Sequence, residues 1–231
     1  MKILAIIPAR GGSKGVPRKN IKLLGKMPLI EYTINAAKAS IGLAEIVVST
    51  EDVEIAIAAE VCGCKPPFVR PAELSEDDAS SISVVQHAIA FYENQNVFFD
   101  AVCLLQPTTP FRAKGFIDEA IQKFRTSGAD SLVSVLPIPH EYNPHWAFEE
   151  GQSGFLQIAT GESQIIPRRQ ELPKAFHRDG SIYLTKTEIA KAGSFYGKSI
   201  TYIESNADFY VNIDTMKDWE KAERLVTHFN G

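Results

Sequence analysis

The sequence predicts a three-layer α/β/α domain with a largely parallel sheet, and three observations carry that reading. Short runs of β-branched apolar residues alternate with stretches of helical periodicity, the pattern of a doubly wound sheet. The first run, Ile3 to Pro8, is apolar without interruption, as a strand covered on both faces must be. A loop rich in glycine and basic residues, Arg10 to Asn20, follows it directly. Ligands of open α/β sheets bind at that place, beyond the carboxyl ends of the strands.

The remaining elements follow in order. Residues 28–38 carry apolar side chains at helical spacing, Glu45 to Ser49 forms the next strand, and Asp52 to Val61 the next helix. Ser80 to Tyr92 is a helix that Ser80 or Ser81 can cap. Asp100 to Gln106 is a strand running into Pro107-Thr-Thr-Pro110; Gly115 to Thr126 is a helix and Ser131 to Leu136 a strand. From Pro137 to Lys174 the regularity fails: Pro139, Pro144, Pro167 and Pro173 interrupt it, around a lone Trp146, and the stretch reads as an insertion. Regularity returns with the strand Gly180 to Leu184, the helix Thr185 to Ala192, the strand Ile200 to Ile203 and a final helix Thr215 to Phe229. With no internal repeat and no linker, residues 1–231 form a single domain, with an insertion at about 137–174.

Composition narrows the function. The 231 residues are 45% hydrophobic and 23% charged, which excludes a collagen, an acidic disordered tail and a membrane channel. A net charge of −4 disfavours duplex nucleic acid as the partner, although a local basic patch still suits a small anion. The three cysteines make no disulfide framework or zinc site, and the five histidines form no metal motif or Ser-His-Asp set. The first apolar run is too short for a spanning helix or a signal segment, so a cytoplasmic protein without a membrane partner is expected.

The chemistry concentrates in Ile7-Pro-Ala-Arg-Gly-Gly-Ser-Lys-Gly-Val-Pro-Arg-Lys-Asn20. Gly11, Gly12 and Gly15 let backbone N–H groups approach an anion, and Arg10, Lys14, Arg18 and Lys19 add charge-assisted donors. The loop lacks the Gly-Lys-Ser/Thr ending of a Walker loop and the glycine spacing of a dinucleotide fingerprint, so it reads as a polyphosphate cradle or, at its plainest, a solvated basic turn.

The same stretch resembles the opening motif of the acylneuraminate cytidylyltransferases, the CMP-sialic acid synthetases and their bacterial relatives. Further stretches resemble the later motifs of that family, in family order: Arg70-Pro-Ala-Glu-Leu with Ala79-Ser-Ser; Leu105-Gln-Pro-Thr-Thr-Pro110 with Arg112; Arg168-Arg-Gln-Glu-Leu-Pro173 with Arg178-Asp-Gly-Ser-Ile-Tyr183; and Val211-Asn-Ile-Asp-Thr215. The resemblance implies transfer of CMP from CTP to a nine-carbon 2-keto sugar acid of N-acylneuraminate type, with release of pyrophosphate. The same chemistry on legionaminate, pseudaminate or the eight-carbon acid KDO is the near alternative, KDO being disfavoured because Gln106-Pro-Thr-Thr stands where its enzymes carry Gly-Asp. A nucleotide-binding regulatory module without chemistry is the alternative from another class.

By the same resemblance, Arg10, Gly11, Ser13, Lys14 and Lys19 hold the CTP phosphates and Asn20 the ribose, while Arg70, the Ala79 backbone and Ser81 read the cytosine. Taken alone, Arg70 would make a surface ion pair with Glu73. Gln106, Thr108, Tyr183, Phe195 and Tyr196 are expected around the sugar acid, although Phe195 and Tyr196 taken alone suit a core equally well. Arg169 is expected to reach across a homodimer interface formed by the insertion; alone, Arg168-Arg169 is an exposed basic pair. A lysine that some relatives carry early in the insertion is replaced here by His140-Glu-Tyr-Asn-Pro-His-Trp146. Where family members end the last strand Asp-Ile-Asp, this chain has Asn212-Ile-Asp214. Asp214 is therefore expected to be the anionic ligand of Mg²⁺, with Asn212 beside it, unless Asp214 merely caps the final helix. Arg10, Lys19 and Asp214 are the expected catalytic residues, and lipopolysaccharide or capsule biosynthesis is the expected setting.

Overall fold

The computed structural model describes residues 1–229. The chain alternates as expected: β1 (Ile3–Pro8), the short pair β2 (Leu23–Leu24) and β3 (Met27–Pro28), α1 (Leu29–Ala39), β4 (Glu45–Ser49), α2 (Val53–Val61), α3 (Ser81–Glu93), β5 (Ala101–Leu104), α4 (Phe116–Ser127) and β6 (Ser131–Pro137). The insertion contributes β7 (Phe148–Glu150) and β8 (Leu156–Ile158), and the chain ends with β9 (Phe176–Lys186), α5 (Thr187–Lys191), β10 (Ile200–Glu204) and α6 (Met216–Val226). Asp52 caps α2 by accepting the Ile55 N–H at 3.0 Å, and Ser80 caps α3 by accepting that of Ser83 at 3.3 Å.

One six-stranded sheet, in the order β10-β6-β9-β5-β1-β4, organises the domain. Its two faces are read directly from β1. Ile3, Ala5 and Ile7 pack with Ile30 and Ile34 of α1 and Ile121 and Phe124 of α4, whereas Leu4 and Ile6 pack with Val85 and Ile89 of α3 and Ala190 of α5. This period-two division is what makes three layers. A third cluster docks α6: Trp219, fully buried, packs with Val16, Leu24, Leu29 and Ile213, which fixes the end of the chain against the loop after β1.

Three expectations are corrected. The strand expected at Gly180 to Leu184 is the much longer β9, which runs antiparallel to both β5 and β6. Its strand pairing continues through Lys186, whose ammonium meets Asp130 at 2.8 Å, so the helix expected from Thr185 is reduced to α5. The Val211 to Asp214 stretch is not a strand. It crosses the end of the sheet as irregular chain, held by the Ile213 N–H donating to the Thr108 carbonyl at 2.9 Å.

The insertion leaves β6 and returns into β9 at one end of the sheet. Its base is closed by the Ile138 N–H on the Ala175 carbonyl at 2.9 Å, and its interior is braced by the Trp146 indole on the Ile166 carbonyl at 2.7 Å. Phe148, Phe155, Leu156 and Ile165 stand exposed on it.

Candidate functional site

The loop after β1 is closed by Asn20, a buried side chain whose amide donates to the Arg10 carbonyl at 3.0 Å. A Cβ at Gly15 would overlap the backbone carbonyl of Asp214, so glycine is required for the loop and the Asn212–Asp214 stretch to touch. Lys19 crosses that contact. Its ammonium donates to the Ile213 carbonyl at 2.6 Å and lies 3.5 Å from the Asp214 carboxylate. Burial pushes the Lys19 pKa down, and Asp214 opposes the shift. Arg10 pairs with Asp77 at 2.9 Å and donates to the Glu76 carbonyl at 3.1 Å; Lys14 also pairs with Asp77.

Arg18 is a correction to the cradle. It takes a left-handed backbone (φ 56°) and turns its guanidinium onto Asp52, at 2.5 and 3.2 Å, and Glu54, at 2.8 Å, where it anchors the loop to α2. Gly11 is a second correction: its N–H is taken by the Glu51 carboxylate at 2.7 Å, so the residue shapes the loop through Glu51.

Beside the start of the loop lies Arg70. It is buried, and its ion pair is with Glu51 at 2.6 Å, not with Glu73; its Nε donates to the Ser75 hydroxyl at 2.9 Å. The Ser75 hydroxyl in turn donates to Glu51 at 2.9 Å. Burial works against ionisation of Glu51, but the Gly11 N–H and the Arg70 guanidinium overcome it and hold the carboxyl below its usual range.

The basic loop and Arg70 face a cavity of about 370 Å³. Arg10, Ser13, Lys14, Lys19, Asn20, Arg70, Ala79, Ser81, Gln106, Thr108 and Asp214 all line it. A second cavity of about 330 Å³ is lined by Tyr183, Phe195 and Tyr196 and shares Ser81 and Gln106 with the first. Phe195 lies against Tyr183 at 5.6 Å between tilted ring centroids and also lines the cavity. Thr108 belongs to the first cavity only, and Arg169, in an exposed turn of the insertion, lines neither.

Sequence reasoning gave no role to Arg178, which lines the second cavity close enough to Tyr183 and Tyr196 for both to raise its pKa. Its place in the Arg178-to-Tyr183 stretch was the available signal. It also gave none to Arg112. Fully buried, Arg112 donates to the Ser181 carbonyl at 3.1 and 2.9 Å, to the Gln106 carbonyl at 2.8 Å and to Thr33 at 3.0 Å. Desolvation brings its pKa to about 10. It braces the turn carrying Gln106 and Thr108 against β9.

Asp214 does not cap α6: Thr215 does, in a capping box with Asp218. The Asp214 carboxylate is 63% exposed, lines the first cavity and accepts the Asn212 amide at 2.6 Å. Among the described residues no group of three or more His, Cys, Asp or Glu side chains gathers as a metal site. One carboxylate beside a phosphate-sized basic cavity nevertheless fits Mg²⁺, which draws most of its oxygens from phosphate and water. No helix among the described residues is long and apolar enough to cross a membrane. A larger cavity of about 740 Å³ lies between α1, the start of α4 and the end of α6. Its wall is mostly apolar, and its Asp118 is already taken by Ser40 and the Gly42 N–H, so the chemistry is read from the smaller pair.

Comparison with known proteins identifies the family and the fold. The family model described as cytidylyltransferase matches residues 4–228. CMP-N,N'-diacetyllegionaminic acid synthase of Legionella pneumophila is 37% identical over 228 residues, covering 98% of this chain and 97% of its own. Pseudaminic acid cytidylyltransferase of Campylobacter jejuni is 38% identical over 229 residues, covering 97% and 96%. A solved structure of CMP:2-keto-3-deoxy-manno-octonic acid synthetase complexed with CTP superposes with a TM-score of 0.73 over 99% of both chains, at 19% identity, which attests the fold.

Proposed function

We propose, since the chain belongs to the cytidylyltransferase family, that it transfers CMP from CTP to a nine-carbon 2-keto sugar acid and releases pyrophosphate. One observation carries this reading: two cavities meet at Gln106, one walled by the basic loop and one by an arginine among aromatic residues. Such a pair suits a triphosphate facing an anionic sugar. The names of the two curated relatives put a legionaminate- or pseudaminate-type acid beside N-acylneuraminate among the candidates.

The triphosphate lies along Arg10, Ser13, Lys14 and Lys19, and the ribose near Asn20. Arg70 donates to the O2 and N3 acceptors of cytosine, and the Ala79 carbonyl accepts from its amino group. Uracil offers an N–H at N3 and no amino group, so it leaves both ends mismatched. The sugar acid enters the second cavity with its carboxylate toward Arg178 and its ring against Tyr183, Phe195 and Tyr196. Its anomeric hydroxyl attacks the α-phosphorus in line and loses its proton to solvent water. The new O–P bond forms as the bond to the β-phosphate oxygen breaks, and pyrophosphate departs along the basic loop. Lys19, desolvated and tied to the Ile213 carbonyl, meets the charge that develops on the phosphate oxygens. Asp214, with Asn212 beside it, holds Mg²⁺, which supplies charge neutralisation on the phosphates when bound. A cytoplasmic homodimer whose insertions pair, each lending Arg169 to the neighbouring site, completes the reading, and a CMP-sugar for lipopolysaccharide or capsule synthesis is the product.

Pyrophosphate release from CTP, measured with N-acetylneuraminate, legionaminate, pseudaminate and KDO, tests the reading. Turnover with a nine-carbon acid well above that with KDO is expected. CTP binding without pyrophosphate release from any of them would make the chain a nucleotide-binding module and overturn it.

A further inference from the structure

Glu51 stands at the carboxyl end of β4 and belongs to none of the motifs that resemble the family. Its two carboxylate oxygens nonetheless join the basic loop to Arg70, which lines the nucleotide cavity. Oε1 takes the Gly11 N–H of the basic loop at 2.7 Å, and Oε2 takes the Arg70 guanidinium at 2.6 Å and the Ser75 hydroxyl at 2.9 Å. The Arg70 backbone N–H is fixed as well, on the Thr50 carbonyl at 2.9 Å. The guanidinium is thus pinned by one edge, through Nε and Nη2, while Nη1 meets no acceptor among the described residues and Arg70 lines the cavity.

We infer that Glu51 is a positioning residue for nucleotide choice: it sets the plane in which Arg70 presents its free N–H groups and locks that plane to the register of the phosphate loop. The inference rests on the reading of this cavity as the CTP site. Reading cytosine against uracil depends on which way two N–H donors point, because both bases carry the O2 acceptor and only N3 and the exocyclic group differ. A guanidinium free to rotate would serve either base. Held by a carboxylate and a hydroxyl on one edge, it keeps a single orientation. Because the same carboxylate holds Gly11, a base that fits Arg70 also finds the phosphate loop already placed.

The test measures CTP and UTP binding by calorimetry, and kcat and KM for both, on the purified full chain and on Glu51→Gln, Glu51→Asp and Ser75→Ala. The unaltered chain should prefer CTP by about tenfold to a hundredfold, the size of one mismatched buried polar group. Glu51→Gln removes the charge and sets an amide N–H against a donor at one of the two contacts, Arg70 or Gly11. It should weaken CTP by roughly tenfold while changing UTP by less than about threefold, so that the preference collapses. Glu51→Asp keeps the charge and should recover part of the preference. Ser75→Ala removes one hydroxyl, leaves the carboxylate in place and should lower the preference by a smaller factor. It carries the test alone if thermal melting shows Glu51→Gln unfolded. An equal loss for CTP and UTP, with the preference intact in the folded variants, overturns the role of Glu51. A wild-type chain that binds no CTP overturns the cavity assignment beneath it.

Discussion

The two cavities that meet at Gln106 are built on different plans. The cavity proposed for the nucleotide is braced within this chain: Arg70 is buried on Glu51 and Ser75, Lys19 is tied to Ile213, and Gly15 is pressed on Asp214. The cavity proposed for the acceptor is looser. Arg178 is exposed, Tyr196 is 38% exposed, and the adjoining insertion displays Phe148, Phe155 and Leu156 to solvent. Rigid, internally bonded donors suit a co-substrate that does not vary, because preorganisation removes the ordering cost of binding. A surface of exposed side chains lets acceptor choice change by few substitutions without disturbing the nucleotide.

The sharpest way to break this contrast is at Asp214. On the proposed metal role, Asp214→Asn should cost about a hundredfold or more in kcat, while melting changes little for so exposed a side chain. A near-normal rate at ordinary Mg²⁺ would remove Asp214 from the metal site. A comparable loss is expected from Arg169→Ala on the proposal that a second subunit lends this residue to the acceptor cavity. Mixing Arg169→Ala chains with Lys19→Ala chains should restore up to about a quarter of the wild-type activity, because random pairing gives half mixed dimers with one intact site each. Verified mixed dimers without activity would return Arg169 to its own chain.

A smaller effect sharpens the nucleotide side. Burial lowers the Lys19 pKa, so as pH rises its charge is lost sooner than that of an ordinary lysine. The kcat/KM for CTP should therefore fall on the alkaline side from below the usual lysine range. Lys19→Arg, whose charge persists, should abolish that limb whatever its absolute rate. A profile of unchanged shape would exclude Lys19 as its source. The smallest change is expected at Thr215→Ala, which removes the α6 cap, at about 1 kcal/mol of stability measured by denaturant unfolding, with kcat nearly unchanged.

Much of this was legible in the residues. Continuous β-branched runs and helical spacing placed β1, β4 and α1 to α4 within a few positions, because burial on two faces or one stripe writes a period into the chain. The direction of β9 was not legible, since an antiparallel strand between parallel neighbours has the same local composition as a parallel one. Nor could spacing tell Arg10, which lines the cavity, from Arg18, which turns outward on Asp52: four basic residues in one loop differ only in where the backbone aims them. Glu51 escaped notice because its partners, Gly11 in the loop after β1 and Arg70 and Ser75 well beyond α2, come from two separate segments.

The closed base of the insertion has a consequence for how such a protein can diversify. Pro137 faces Phe176 across the sheet, and the next pair along is sealed by a backbone hydrogen bond, so the segment between them is a loop whose two ends are fixed neighbours. The entropy of closing a loop grows only with the logarithm of its length. The stretch from 139 to 174 can therefore be lengthened, shortened or exchanged between relatives as a cassette, with the register of β6 against β9, and hence the position of Arg178, carried over intact.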